Sequence, residues 1–121
     1  MIDHVMLHVK DYDRSKRFYG TVLKPLGYET VMEFGKSAGL GVRGKPDFWI
    51  GEAVKPPTKM HIAFVADTRK QVDQFYKEAI AAGGQDNGPP GLRKHYHDNY
   101  YGAFVTDLDG NNVEAVCHKP E

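Results

Sequence analysis

A short apolar run that begins with histidine occurs twice in this chain of 121 residues. The run at 61–66 reads His-Ile-Ala-Phe-Val-Ala, and the run at 4–9, which lies 57 positions earlier, reads His-Val-Met-Leu-His-Val. The same offset carries the Phe-Tyr pair at 75–76 onto the Phe-Tyr pair at 18–19. Matching positions at one constant offset indicate a duplicated unit, and a duplication constrains the fold more than any other feature of a sequence.

The first unit is predicted to form one strand, one helix and three further strands. Residues 2–9 alternate between apolar side chains on one face and His4, Met6 and His8 on the other, as the period of a strand requires. A helix with an apolar stripe follows, for which Asp11 or Asp13 can provide the N-terminal cap. The three strands that complete the unit are expected at 28–34, 38–42 and 47–51.

The second unit repeats this order after a stiff linker of sequence Lys-Pro-Pro-Thr at 55–58. A strand at 61–66 precedes a helix that Thr68 can cap and that a Gly-Gly pair ends. Residues 85–99 are predicted to be a loop because they contain the run Gly-Pro-Pro-Gly. A final hairpin joins 100–106 to 112–117, so the fold class is α+β with two tandem βαβββ modules.

Composition excludes several classes of partner. The 16 basic and 16 acidic side chains balance, so we expect neither nucleic acid nor an anionic membrane as a partner. A single cysteine, Cys117, indicates a reducing compartment and no internal disulfide framework. The N-terminus does not read as a signal peptide, and no apolar run approaches the ~20 residues that span a bilayer. We therefore expect one cytoplasmic domain.

The paired units resemble the vicinal oxygen chelate superfamily, which includes glyoxalase I, extradiol dioxygenases and the fosfomycin- and bleomycin-resistance proteins. The second unit strengthens the resemblance through the run Asp-Leu-Asp-Gly-Asn-Asn-Val-Glu at 107–114. That run is similar to the family pattern Asp-Pro-Asp-Gly-Asn-x-x-Glu, with Leu108 in place of proline. The resemblance implies a single domain over 1–121, with module one at about 1–54 and module two at about 58–118. Their curved mixed sheets would form a cup.

Family members use histidines of the first strand and acids of the last strand as metal ligands. Carried over by position, this implies that His4, His61 and Glu114 bind a divalent metal ion, which could be Fe, Mn, Zn or Ni. Trp49 stands where the first module would supply a fourth ligand, and there glyoxalase I has a carboxylate. Two histidines and one carboxylate resemble the set of non-haem Fe(II) dioxygenases and leave positions open for substrate.

Further candidates lie around this set. His95 and Asp98 resemble a His-x-x-Asp element of extradiol enzymes, so His95 is a candidate for proton transfer and Asp98 for substrate binding. Trp49, Tyr100 and Tyr101 are candidates for stacking on a planar substrate, although large aromatic side chains in strands usually belong to the core.

The resemblance implies a metal-dependent enzyme that binds a small-molecule substrate through adjacent oxygens, with dioxygenase or lyase/isomerase chemistry. The alternative is a drug- or metabolite-binding protein of the resistance type, which has the same fold and no catalysis. A homodimer is expected in either case. The cup could close within one chain or across two chains, and the sequence leaves both arrangements open.

Overall fold

The computed structural model describes residues 2–55 and 59–120, which contain two α-helices, a short 3-10 helix (Lys24–Leu26) and eight strands. The first module consists of β1 (Val5–Val9), α1 (Tyr12–Val22), β2 (Glu29–Phe34), β3 (Ser37–Val42) and β4 (Lys45–Glu52). The second consists of β5 (His61–Val65), α2 (Arg69–Ala81), β6 (Gln85–Leu92), β7 (Tyr101–Thr106) and β8 (Asn112–Cys117). Positions 56–58 of the predicted linker lie outside the described residues. Neither described helix is long and apolar enough to cross a membrane.

Each module folds into its own four-stranded mixed sheet. The strand order is β1-β4-β3-β2 in the first sheet and β5-β8-β7-β6 in the second. In both sheets the first strand runs parallel to the last strand, and the remaining pairs are antiparallel. The predicted α+β fold of two βαβββ modules is confirmed.

The register shows which positions of the two modules are equivalent. Met6, two residues after His4, pairs with Trp49, and Ala63, two residues after His61, pairs with Glu114. Trp49 and Glu114 therefore occupy the same place in their modules. The first module carries an indole where the second carries a carboxylate.

Side-chain caps fix where the two helices begin. Asp11 caps α1, because its carboxylate accepts from the backbone N–H of Arg14 at 3.1 Å. Thr68 caps α2 within a capping box, in which the Thr68 hydroxyl accepts from the backbone N–H of Gln71 and the Gln71 side-chain oxygen accepts from the backbone N–H of Thr68. These contacts satisfy N–H groups that have no partner within the helix. Of the two predicted candidates for the first cap, the structure selects Asp11.

Only one face of each sheet packs into the core. In the first sheet the inward side chains are Leu7, Val9, Ala38, Leu40, Phe48 and Ile50, and in the second they are Phe64, Ala103, Val105, Val113, Ala115 and Cys117. The ring of Phe64 lies 5.1 Å from that of Phe48, so the two sheets share this core. Since side chains alternate along a strand, the predicted metal ligands lie on the opposite, outer faces.

The loop predicted at 85–99 is wrong over its first half. Residues 85–92 form β6, which pairs with β7 through a ladder interrupted at two register shifts. In its sheet β6 lies at the edge, where one side of the strand needs no ladder hydrogen bonds. Proline is tolerated there because its missing N–H interrupts nothing. The Gly-Pro-Pro-Gly run therefore marks an irregular edge strand.

A buried hydrogen bond joins the two modules. The Tyr19 hydroxyl of α1 donates to the Asp107 carboxylate at 2.5 Å, and Asp107 also accepts from the backbone and side chain of Asn111. Burial, and secondarily the negative charge of Asp107, raises the pKa of Tyr19 well above its ordinary value. The turn between β7 and β8 is thus attached to the helix of the other module.

Replacing Tyr19 by Phe is expected to lower the free energy of unfolding by about 1–3 kcal/mol, because the buried Asp107 loses a donor. The unfolded tyrosine ionises first as the pH rises above about 10, so wild-type stability falls there, and the loss should be smaller in Tyr19→Phe. Urea unfolding at pH 7 and pH 10.5 measures both effects. Tyr28→Phe is the matched control for the measurement at pH 7, since Tyr28 donates to the exposed Asp47. An equal decrease in the free energy of unfolding at pH 7 in the two variants would contradict the prediction.

Candidate metal-binding site

His61 and Glu114 come together on the outer face of the second sheet. His61 begins β5 and Glu114 lies in the adjacent parallel strand β8, with Nε2 of the histidine 3.2 Å from Oε1 of the glutamate. Glu114 is only 1% exposed, whereas the side chain of His61 is 51% exposed. A carboxylate is held in the sheet, and the imidazole beside it is open to solvent.

The hydrogen bonds of His61 determine which of its nitrogens is available. Nδ1 lies 3.2 Å from the backbone carbonyl oxygen of Asn112. A carbonyl only accepts, so Nδ1 carries a proton, and Nε2 is the ring nitrogen that faces Glu114. Either a proton on Nε2 or a metal cation between Nε2 and the carboxylate would make this contact favourable.

The donor set fits a divalent cation. Imidazole nitrogen with carboxylate oxygen suits Fe, Mn, Zn or Ni, and a backbone carbonyl on the second ring nitrogen is the usual support for a metal-bound histidine. The side chain of Asn112 projects from the same face as Glu114, and its buried Oδ1 has no hydrogen-bond partner in the described part of the chain. The amide oxygen of Asn112 is thus an acceptor without a donor, and it lies next to the His61–Glu114 pair.

Tyr100 holds the second oxygen of Glu114. Its hydroxyl donates to Oε2, and burial, followed by this hydrogen bond, raises the pKa of Tyr100 above its ordinary value. The phenol therefore stays a donor at neutral pH and orients the carboxylate. The rings of Tyr96, His97 and His118 lie 4.8, 5.5 and 5.4 Å from that of Tyr100 and surround it.

His4 lies apart from this pair. It is exposed beside β1 in the first sheet, where Nδ1 is 2.7 Å from the carboxylate of Asp3. Within residues 2–55 and 59–120, no three histidine, cysteine, aspartate or glutamate side chains form a group that could hold a metal ion. A single chain thus brings two of the three predicted ligands together.

Trp49 lies on the outer face of the first sheet. Its ring stacks on that of Phe34, with the centroids 6.3 Å apart and the planes within 10°. A side chain at Gly39 would meet the indole at 2.7 Å, so glycine makes room for it. Phe34 is 66% exposed. It was not predicted as a site residue, although the alternation of side chains along β2 indicates the face on which it lies.

The remaining predicted residues have different surroundings. Tyr101 faces α2, where its hydroxyl donates to Asp73 at 2.6 Å. The ring of His95 lies 4.2 Å from that of Tyr96, which contacts Tyr100, so two tyrosine rings link His95 to Glu114. Asp98 is an exposed residue of the turn before β7. Of the four aromatic and acidic candidates for substrate binding, Tyr100 alone touches the His61–Glu114 pair.

Paired βαβββ modules, with a histidine on a first strand beside a carboxylate on the last, define a two-module fold of the glyoxalase type. Residues 1–115 match the model of the Glyoxalase/Bleomycin resistance protein/Dioxygenase superfamily, and the chain belongs to that family. The predicted resemblance to the vicinal oxygen chelate superfamily is confirmed.

Relatives agree over almost the whole chain. Protein YqjT of Bacillus subtilis (strain 168) is 30% identical over 130 aligned positions, covering 94% of this chain and 96% of YqjT. A glyoxalase/bleomycin resistance protein from Albidiferax ferrireducens T118 has a TM-score of 0.84 at 30% identity, covering 95% and 97% of the two chains. A mutant of the fosfomycin resistance protein FosX from Listeria monocytogenes, complexed with Mn(II) and 1S,2S-dihydroxypropylphosphonic acid, has a TM-score of 0.69 at 21% identity, covering 96% and 88%.

Proposed function

We propose that the protein is a metal-dependent enzyme that binds a small substrate through two neighbouring oxygens, with dioxygenase or lyase/isomerase chemistry. The observation that carries the proposal is the His61–Glu114 pair, in which Nε2 of the imidazole and a buried carboxylate oxygen face one another at 3.2 Å. The backbone carbonyl beside Nδ1 is the support that a metal-bound histidine usually has. The FosX complex, which has the same fold, holds Mn(II) together with a dihydroxy compound.

The third donor is the His4 of a second copy of the chain. His4 and His61 occupy equivalent positions of the two modules, on outer faces that do not meet within one chain. In a homodimer with twofold symmetry, the first sheet of one protomer would cover the second sheet of its partner, and two equivalent sites would form. The outer faces are apolar enough for burial, with Met6 and Met32 each 39% exposed and Val65 70% exposed.

When bound, the metal would act as a Lewis acid that gathers the two substrate oxygens and stabilises negative charge on them. The protein's own residues fix the geometry. Glu114 is held through Tyr100 and His61 through the Asn112 carbonyl, so neither ligand has to be ordered when substrate binds. His95 stays a proposal for proton transfer, at the outer end of the row formed by Tyr96 and Tyr100.

Metal titration tests the proposal. Calorimetric titration with Mn²⁺, Ni²⁺, Zn²⁺ and anaerobic Fe²⁺ is expected to show one site per chain in the wild type and none in His61→Ala. Tyr100→Phe removes only the support of Glu114, so its metal affinity should fall by about 10- to 100-fold. The control is Tyr101→Phe, which alters the neighbouring residue on the opposite face and should leave metal affinity unchanged. Wild-type protein that binds none of these ions would refute the proposal.

One observation favours binding without catalysis as the second candidate. The stacked rings of Phe34 and Trp49 form an exposed aromatic surface that could hold a flat drug or metabolite. In that case His4→Ala would leave the affinity for such a ligand intact, whereas Trp49→Ala would abolish it. Loss of binding in both variants would favour the enzyme.

A further inference from the structure

We propose that Arg93 binds an anionic group of the substrate, so that the substrates of this protein are small carboxylates, phosphonates or phosphates with two neighbouring oxygens. The inference rests on the proposed function and adds the substrate class to it. Arg93 directly follows β6 in the second sheet. The backbone N–H of Arg93 donates to the carbonyl of Tyr100 at 2.7 Å, and Gly91 pairs with Gly102 in the same register.

This register places Arg93 on the face that carries Glu114. Gly102, Phe104 and Glu114 share the outer face, because Phe104 pairs with Glu114 across β7 and β8. The guanidinium of Arg93 lies over the Phe104 ring, 5.4 Å from its centroid. The imidazole of His61 stacks near the same ring, at 6.3 Å between centroids. One aromatic ring therefore lies next to both the candidate metal ligand and the cation.

The guanidinium is held in place by the backbone of the edge strand. Nη1 donates to the carbonyl of Gly91 at 2.8 Å, and Nη2 donates to the carbonyl of Pro89 at 2.7 Å. A side chain at Gly88 or Gly91 would come within 3.2 Å of these nitrogens. The Gly-Pro-Pro-Gly run thus provides two acceptors at its centre and end and leaves space for the arginine.

The charge of Arg93 is not neutralised by an acid. Among the described residues its hydrogen-bond acceptors are the two backbone carbonyls, and no ion pair joins it to a carboxylate. Two of the five N–H groups of a guanidinium are used, so three remain for a ligand. A fixed arginine with free donors suits the planar, multidentate recognition of oxyanions. A divalent metal next to Glu114 would add further positive charge.

The test compares two chelating probes that differ by one anionic group, catechol and 3,4-dihydroxybenzoate, on Mn²⁺-loaded protein. Wild type is expected to bind 3,4-dihydroxybenzoate about tenfold or more tightly than catechol, as one charge-assisted contact allows. Arg93→Gln should bind both probes equally and keep the wild-type affinity for Mn²⁺ and for catechol. Lys94→Gln, which removes the neighbouring exposed cation, should keep the preference. If Arg93→Gln prefers 3,4-dihydroxybenzoate over catechol as strongly as Lys94→Gln does, the proposal is overturned.

Inorganic phosphate on metal-free protein separates this proposal from the metal site. Arg93 should bind phosphate without metal, so calorimetry should show binding at millimolar concentration in wild type and Lys94→Gln and several-fold weaker binding in Arg93→Gln. If wild type binds phosphate through Arg93 but takes up no metal, the anion site stands and the proposed enzyme fails. If phosphate binds equally to Arg93→Gln, or does not bind to wild type, the assignment of Arg93 is overturned.

Discussion

Mixing His4→Ala chains with Glu114→Gln chains is expected to restore about a quarter of the wild-type metal sites, although neither variant binds metal alone. In a mixed dimer, one site combines both defects, and the other combines an intact His4 with an intact His61–Glu114 pair. Half of the dimers in a random mixture are mixed, and each contains one complete site out of two. The prediction rests on the proposed dimer, because within residues 2–55 and 59–120 of one chain His4 does not join His61 and Glu114 in a group that could hold a metal ion.

The measurement uses the two variants unfolded in urea and refolded together, followed by calorimetric titration with Mn²⁺. Refolding each variant alone gives the baseline, and refolding the wild type alone gives the full number of sites. A His61→Ala chain mixed with a Glu114→Gln chain is the control for nonspecific effects of mixing, because both defects lie in the same half of the site and no mixed dimer contains a complete one. If the site closed within one chain, the mixture would bind no more metal than the separate variants. Such a result would require the modules of one chain to rearrange.

The contact between His61 and Glu114 was predictable, because the family resemblance indicated both residues and strand alternation is consistent with a shared face. His61 and Glu114 lie on adjacent strands, and alternation alone places both on one face. Aligning the final hairpins of the two modules also identified Trp49 as the residue equivalent to Glu114, as the register shows. Whether His4 would join the pair within one chain or from a second chain was not predictable, since this depends on how whole sheets associate. Periodicity within a strand carries no information about that.

Errors occurred where local composition concealed the pairing of strands. The prolines of β6 suggested a loop, because an edge strand tolerates residues that a central strand would not. The same prediction placed Arg93 in a loop, whereas the register of β6 and β7 places it on the Glu114 face. Tyr101 differs from Tyr100 by one position, and one position reverses the face of a strand.

Removing the charge of Glu114 tests whether this carboxylate binds a metal ion or stabilises the fold. In Glu114→Gln the amide oxygen can still accept from the Tyr100 hydroxyl, and His61 is exposed enough for water to replace the lost partner. A buried carboxylate, by contrast, costs several kcal/mol of desolvation that the half-exposed histidine offsets only in part. We therefore expect metal-free Glu114→Gln to be as stable as the wild type or more stable, by up to about 2 kcal/mol.

Bound metal is expected to reverse this order of stability, so that the wild type becomes more stable than Glu114→Gln. At a concentration of Mn²⁺ about 100 times its dissociation constant, the wild type should gain about 2.7 kcal/mol, whereas Glu114→Gln should gain nothing. Urea unfolding of both proteins with Mn²⁺ and with a chelator gives the four free energies. Glu78→Gln serves as the control, because its carboxylate lies on α2 and accepts from Gln74. A loss of more than 2 kcal/mol in metal-free Glu114→Gln, with no Mn²⁺-dependent gain in the wild type, would mean that Glu114 stabilises the fold and binds no metal. If instead metal-free Glu114→Gln is at least as stable as the wild type and Mn²⁺ reverses the order, the bound cation offsets the desolvation cost of this carboxylate.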